Sequence, residues 1–249
     1  MATATMPRSI APVVGRRTDN YFFSGMALLL LATVVVGFGR TYFLAGVFRA
    51  PLPSVLVHIH GALFSCWILL LIAQVSLVSA RRVDIHRKLG LAGFALASLM
   101  IIVGVLTATG LLARDVSPVP VFDAKTFYAI PLADMVTFAI LIFCAYWYRK
   151  NSATHKRLIL IATIALMDAP TGRPPFAAIT HHQYLDSIFC VGFLLLLVGY
   201  DLWSTHKVHR ATVLGGLLMV IIDQVRVPIG MSPGFHAFAT WAQNLAHSV

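Results

Sequence analysis

What most constrains this chain is a recurrence. Apolar runs of about twenty residues, each long enough to cross a bilayer core of about 30 Å as a helix, alternate with short turns rich in Lys and Arg. In lipid the backbone polar groups of such runs have to be satisfied within the protein, which favours helices. Composition agrees: of 249 residues, 59% are hydrophobic and 11% charged, against about 25% charged in soluble domains. The reading is all-α: a polytopic membrane helical bundle of seven transmembrane helices with a C-terminal interfacial amphipathic helix. Residues 1–20 read as a cytoplasmic tail, 21–231 as the seven-helix domain and 232–249 as the amphipathic segment.

The helices are expected at about 21–38, 54–79, 89–112, a fourth ending near Tyr148, a broken fifth from His155, a sixth over 184–203 and a seventh over 211–229. Gly90, Gly93, Ala95, Ala97 and Gly104 let neighbours approach the third closely. Pro131 falls near the first turn of the fourth, where proline is tolerated. The fifth is interrupted by Asp168-Ala169-Pro170-Thr171-Gly172-Arg173-Pro174-Pro175. The stretch from His155 to Ala169 rises only about 22 Å. Non-helical chain then has to cover the remaining depth, buried in protein or lining a wet cavity. Ser232-Pro233 marks the start of the last helix. Phe235, Phe238, Trp241 or Ala242, and Leu245 share one of its faces, and His236, Thr240, Gln243 and His247 another.

The net charge of +10 would suggest nucleic acid in a soluble protein. Here 13 of the 19 Lys and Arg residues fall in the N-terminal tail and three basic turns, which share one side if seven helices alternate. The positive-inside rule then puts the N-terminus in the cytoplasm and the C-terminus outside. The partner is a lipid bilayer, with no nucleic acid. All nine acids are aspartate, which excludes any mechanism that needs a Glu base or ligand. Cys66, Cys144 and Cys190 lie far apart within apolar runs, with neither metal-ligand nor disulfide spacing. No phosphate loop, nucleophile elbow or zinc-protease helix is present.

Ionisable residues inside the apolar runs are costly and mark function. One group lies at the entries to helices 3, 5 and 7: His86-Arg87-Lys88-Leu89, His155-Lys156-Arg157-Leu158 and His209-Arg210. Asp84, Thr154 and Thr205 precede them as potential N-caps. His86, Arg87, His155, Lys156, His209 and Arg210 are expected to contact lipid phosphates or a partner at the cytoplasmic face. The second group lies in the outward half: His58, His60, Asp134, Asp168, Arg173, Asp223 and Arg226, with His181 and His182 before helix 6. His58 and His60 are roughly 200° apart around a helix, so both cannot face one point. Asp223 and Arg226 are at i,i+3 and can pair. The expectation is one outward-opening cavity holding His60, Asp134, Asp168 and Arg226.

Gly39-Arg40-Thr41-Tyr42-Phe43, His58-Ile59-His60-Gly61-Ala62-Leu63-Phe64 and Asp84-Ile85-His86-Arg87-Lys88-Leu89-Gly90, with the later Thr154-His155-Lys156-Arg157-Leu158, resemble an uncharacterised family of bacterial polytopic membrane proteins. That resemblance implies the bacterial cytoplasmic (inner) membrane and no assigned activity. The chain is more loosely similar to transmembrane b-type cytochromes, which implies haem held by facing histidines.

Three functions follow as expectations. The first is a redox or electron-transfer protein, with quinone as a possible partner, in which His60 or His58 with His181 or His182 ligates haem b or a metal ion. Neutral imidazole is the commonest metal ligand, and Asp134 or Asp168 would orient it. The second is a small-solute carrier or binding protein built on the broken helix 5. The third is a non-catalytic subunit of a larger membrane complex.

Overall fold

In a computed structural model, residues 13–49, 54–173 and 186–248 are described, and they contain helices and turns with no strand. The helices are α1 (Val13–Phe38), α2 (Ala45–Phe48), α3 (Val55–Ser79), α4 (Val83–Ala113), α5 (Ala124–Trp147), α6 (Ser152–Ile164), α7 (Asp168–Thr171), α8 (Asp186–Thr205), α9 (Arg210–Gly230) and α10 (Pro233–His247). Six spans among the described residues are long and apolar enough to cross a membrane: Arg17–Phe43, α3, α4, α5, Ser187–Thr205 and α9. The chain is thus an all-α, multi-pass type of bundle.

The boundaries differ from the sequence expectations where local chemistry overrides the apolar pattern. α1 starts at Val13, upstream of the apolar run, and continues past Phe38 in a π-helical turn, Gly39–Phe43. α4 starts at Val83, so His86, Arg87 and Lys88 lie inside it rather than in a turn. The expected caps move accordingly. α4 has no side-chain cap, Asn151 caps α6 by accepting the Thr154 N–H, and His209 caps α9 by accepting the Ala211 N–H. Asp84, Thr154 and Thr205 are not the caps. Asp123 caps α5 through Lys125 and Thr126, which places Pro131 inside that helix rather than in its first turn. Ser232 caps α10 with Pro233 behind it, as the sequence indicates.

α6 occupies the middle of the bundle. Every residue from Leu160 to Met167 is buried, so the broken helix is shielded by protein, as its missing backbone bonds require. Trp67 on α3 donates its indole N–H to Thr163 Oγ1 at 3.1 Å and meets Phe138 of α5 edge-on. α4 presents Gly93, Ala97, Met100, Gly104, Ala108 and Leu112 to its neighbours, one stripe at helical spacing. At Gly37 any Cβ would lie 2.2 Å from Pro170 O. Only glycine lets α1 touch the backbone of α7.

The basic segments share one end of the bundle, where Arg157 and the His209 N–H meet on Asp201. There Lys156 of α6 pairs with Asp19 of α1 at 2.6 Å, and His155 lies beside Phe94 of α4. At the opposite end α10 packs on α4 and α5. Ala239 and Ala242 are buried there, Gln243 donates to Leu112 O at 2.9 Å, and His236 Nε2 lies 3.1 Å from Thr126 Oγ1. Phe238, Trp241 and Leu245 face outward.

Candidate functional site

The break between α6 and α7 sets the site. Pro170 has no N–H, and its ring conflicts with a helical carbonyl one turn earlier, so α6 stops at Ile164 and α7 restarts at Asp168. Thr171 Oγ1 donates to Met167 O at 2.8 Å and uses one carbonyl of the break. The result is a carboxylate at the interrupted end of a buried helix, facing α5 and α9.

Arg226 of α9 is the hub. Its Nη1 lies 2.6 Å from Asp134 Oδ1 of α5, and its Nη2 lies 2.6 Å from both Asp168 Oδ2 and Asp223 Oδ1. The second oxygens of Asp168 and Asp223 are also engaged. Cys190 Sγ donates to Asp168 Oδ1 at 2.9 Å, while Ser187 Oγ and Gln224 Nε2 donate to Asp223 Oδ2 at 2.7 and 2.9 Å. A cavity of about 20 Å³ lies among these groups, room for about one water. If all three acids are ionised, the cluster carries two uncompensated negative charges. In a low-dielectric interior such charges have to be neutralised by binding something.

Four of the seven expected pocket residues therefore meet: Asp134, Asp168, Asp223 and Arg226. The other three do not line this cavity, which corrects the expectation that His60 shares it. Exposed His58 pairs its Nδ1 with Tyr42 OH at 3.0 Å. His60 stacks on Phe64 with ring centroids 4.1 Å apart, and its buried Nδ1 has no partner among the described residues. Arg173 donates to Ala169 O and holds its guanidinium 4.4 Å from the Phe38 ring centre. His181 and His182 lie outside the described residues. Among the described residues no group of three or more His, Cys or Asp is disposed to hold a metal ion. In the carboxylate cluster, the place a cation would take is filled by the Arg226 guanidinium.

The basic end holds a second buried network that sequence reading missed. Asp201 of α8 is fully buried. Its Oδ1 accepts Arg157 Nε and Nη2 at 2.9 and 2.6 Å, and its Oδ2 accepts Thr212 Oγ1 and the His209 N–H at 2.6 and 3.0 Å. Arg157 Nη1 adds a bond to Ala153 O at 2.8 Å. The signal was present in the sequence, an aspartate within an apolar run, but Arg157 was counted as a topological charge. Nearby, Asp19 accepts from Tyr200 OH as well as Lys156.

The histidines of the basic segments face inward. His155 Nδ1 lies 2.8 Å from Ala145 O, and His86 Nδ1 takes a bond from the Gln74 amide once that amide is oriented to suit its neighbours. His209, at the mouth of α9, has its pKa held below the ordinary imidazole value by desolvation and then by the Arg157 charge. Arg87 and Arg210 are exposed. No known protein family, curated protein or solved structure matches the chain.

Proposed function

We propose that this chain is a proton-coupled small-solute carrier of the bacterial cytoplasmic membrane, with its N-terminus cytoplasmic and its C-terminus outside. The orientation rests on the shared basic end and the positive-inside rule. The observation that carries the function is the charge count at the helix break: three aspartates against Arg226 inside a multi-pass bundle. Interrupted helices are where carriers bind solute and coupling ions. A cavity of about 20 Å³ is too small for a hydrated cation, and Arg226 fills the centre, so the compensating charges are protons on the carboxylates. Any solute that draws Arg226 or α7 away changes how many protons the three acids hold.

The test is proton movement in vesicles containing the purified protein and a pH-sensitive dye, screened against small anionic, polar and cationic solutes. The expected result is solute-dependent proton flux that is lost in Asp168→Asn while thermal unfolding shows the variant still folded. Proton flux unaffected by Asp168→Asn, or none with any solute, would overturn the reading.

A second reading, a haem- or metal-binding redox protein, is favoured by one observation: the buried Nδ1 of His60, which has no partner among the described residues. A Soret band or stoichiometric metal in the purified protein, lost in His60→Ala, would support it over the carrier.

A further inference from the structure

A groove of about 580 Å³ opens between α1 and α8 at the basic end, lined chiefly by Tyr21, Phe22, Leu196, Gly199, Tyr200 and Trp203. Its floor is closed where Phe22 stacks on Tyr200 at 4.0 Å and Tyr200 OH donates to Asp19. Tyr21 and Trp203 stand exposed on its rims. From Leu196 to Trp203 it runs about 10 Å along α8.

The charge at its mouth is one-sided. The acids nearest to it are engaged: Asp19 by Lys156 and Tyr200, and Asp201 by Arg157, Thr212 and the His209 N–H. Arg17, one turn before Tyr21 on α1, and Lys207, two residues past the end of α8, are exposed. An apolar trough between aromatic rims, with exposed cations at the same end of the bundle, suits a molecule with an acyl chain and a negative head. Basic recesses between membrane helices take lipid headgroups in this way.

We propose that this groove is a binding site for an anionic phospholipid, with an acyl chain against Leu196 and Gly199 and the phosphate between Arg17 and Lys207. The site is separate from the Arg226 cluster, which lies at the other end of the bundle.

Two glycines of α8 make the test clean. A Cβ added at Gly199 or at Gly192 meets nothing within 4 Å, so a side chain can leave the backbone at either without a clash at Cβ. Gly199→Leu fills the groove, and Gly192→Leu, outside it, is the control. The delipidated full chain in detergent is titrated with phosphatidylglycerol and with phosphatidylcholine, and bound lipid is counted by native mass spectrometry. The expected result is selective retention of phosphatidylglycerol by the parent and Gly192→Leu proteins. Gly199→Leu should weaken it about tenfold or more, since even two displaced methylenes are worth that much. Arg17→Gln with Lys207→Gln should remove the preference for the anionic lipid. Equal binding of the two lipids, or unchanged binding by Gly199→Leu, would overturn the proposal. A dimer dissociated by Gly199→Leu would also overturn it, by assigning the groove to a second copy of the chain.

Discussion

Two buried arginines show how residue context decides a role. Arg157 and Asp201 form a complete pair: every described bond of the carboxylate is matched, by Arg157, Thr212 and the His209 N–H. This is structural glue for α6, α8 and α9. Arg226, by contrast, faces more acid than it can neutralise, which is the condition for exchanging protons rather than merely holding helices. Asp201→Ala strands the Arg157 charge and is expected to cost about 3–5 kcal/mol, read as a fall in thermal stability in detergent with solute-dependent proton flux retained in the folded fraction. His209 gives a pH signature at the same end. Its folded pKa lies below the ordinary value, and its Nδ1 caps α9 only when unprotonated. The unfolded chain therefore binds the extra proton first. The stabilisation is fully present above about pH 6.5 and is lost as pH falls below it. His209→Ala should remove that part of the acid sensitivity, seen in unfolding midpoints measured across pH 5 to 8.

At the scale of elements, the break in α6 was legible because Asp168-Ala169-Pro170-Thr171-Gly172 cannot continue a helix and because His155 to Ala169 is too short to cross. Depth put Asp134, Asp168 and Arg226 at one level, and i,i+3 spacing joined Asp223 to Arg226. His60 did not join them, since depth fixes height along the bundle but not azimuth, and α3 turns His60 toward Phe64. The Arg157–Asp201 pair was hidden for the same reason, its partners standing 44 residues apart. The contact between α1 and α7 was also invisible, yet it is the tightest backbone approach at any described glycine. Gly37→Leu would drive a side chain into Pro170. Overpacking of this kind costs about 1–3 kcal/mol, and here it should displace α7, with Asp168 on it. The expected outcome is a fall in thermal stability together with loss of proton coupling, whereas Gly25→Leu, which meets open space, should change neither.

For the whole molecule, the apolar runs and basic turns sufficed to read a helical membrane bundle, and six described spans carry that pattern. The early starts of α1 and α4 were not legible, because polar residues such as Asp19 and His86 enter helices once other helices offer them partners. α10 turns its polar residues toward α4 and α5 and leaves Phe238, Trp241 and Leu245 outward, an arrangement suited to a membrane interface. The proposed orientation predicts that a tag after Val249 reacts with antibody on cells whose outer membrane alone is opened, and that a tag between Arg81 and Arg82 reacts only after the inner membrane is breached. The reverse pattern would invert the carrier. Infrared difference spectroscopy of the purified protein at neutral pH shows whether the carboxylates around Arg226 hold protons at rest. A neutral-carboxyl C=O absorption that disappears in Asp134→Asn, Asp168→Asn or Asp223→Asn is the predicted result. Three fully ionised aspartates, with no such band in any difference spectrum, would contradict the account.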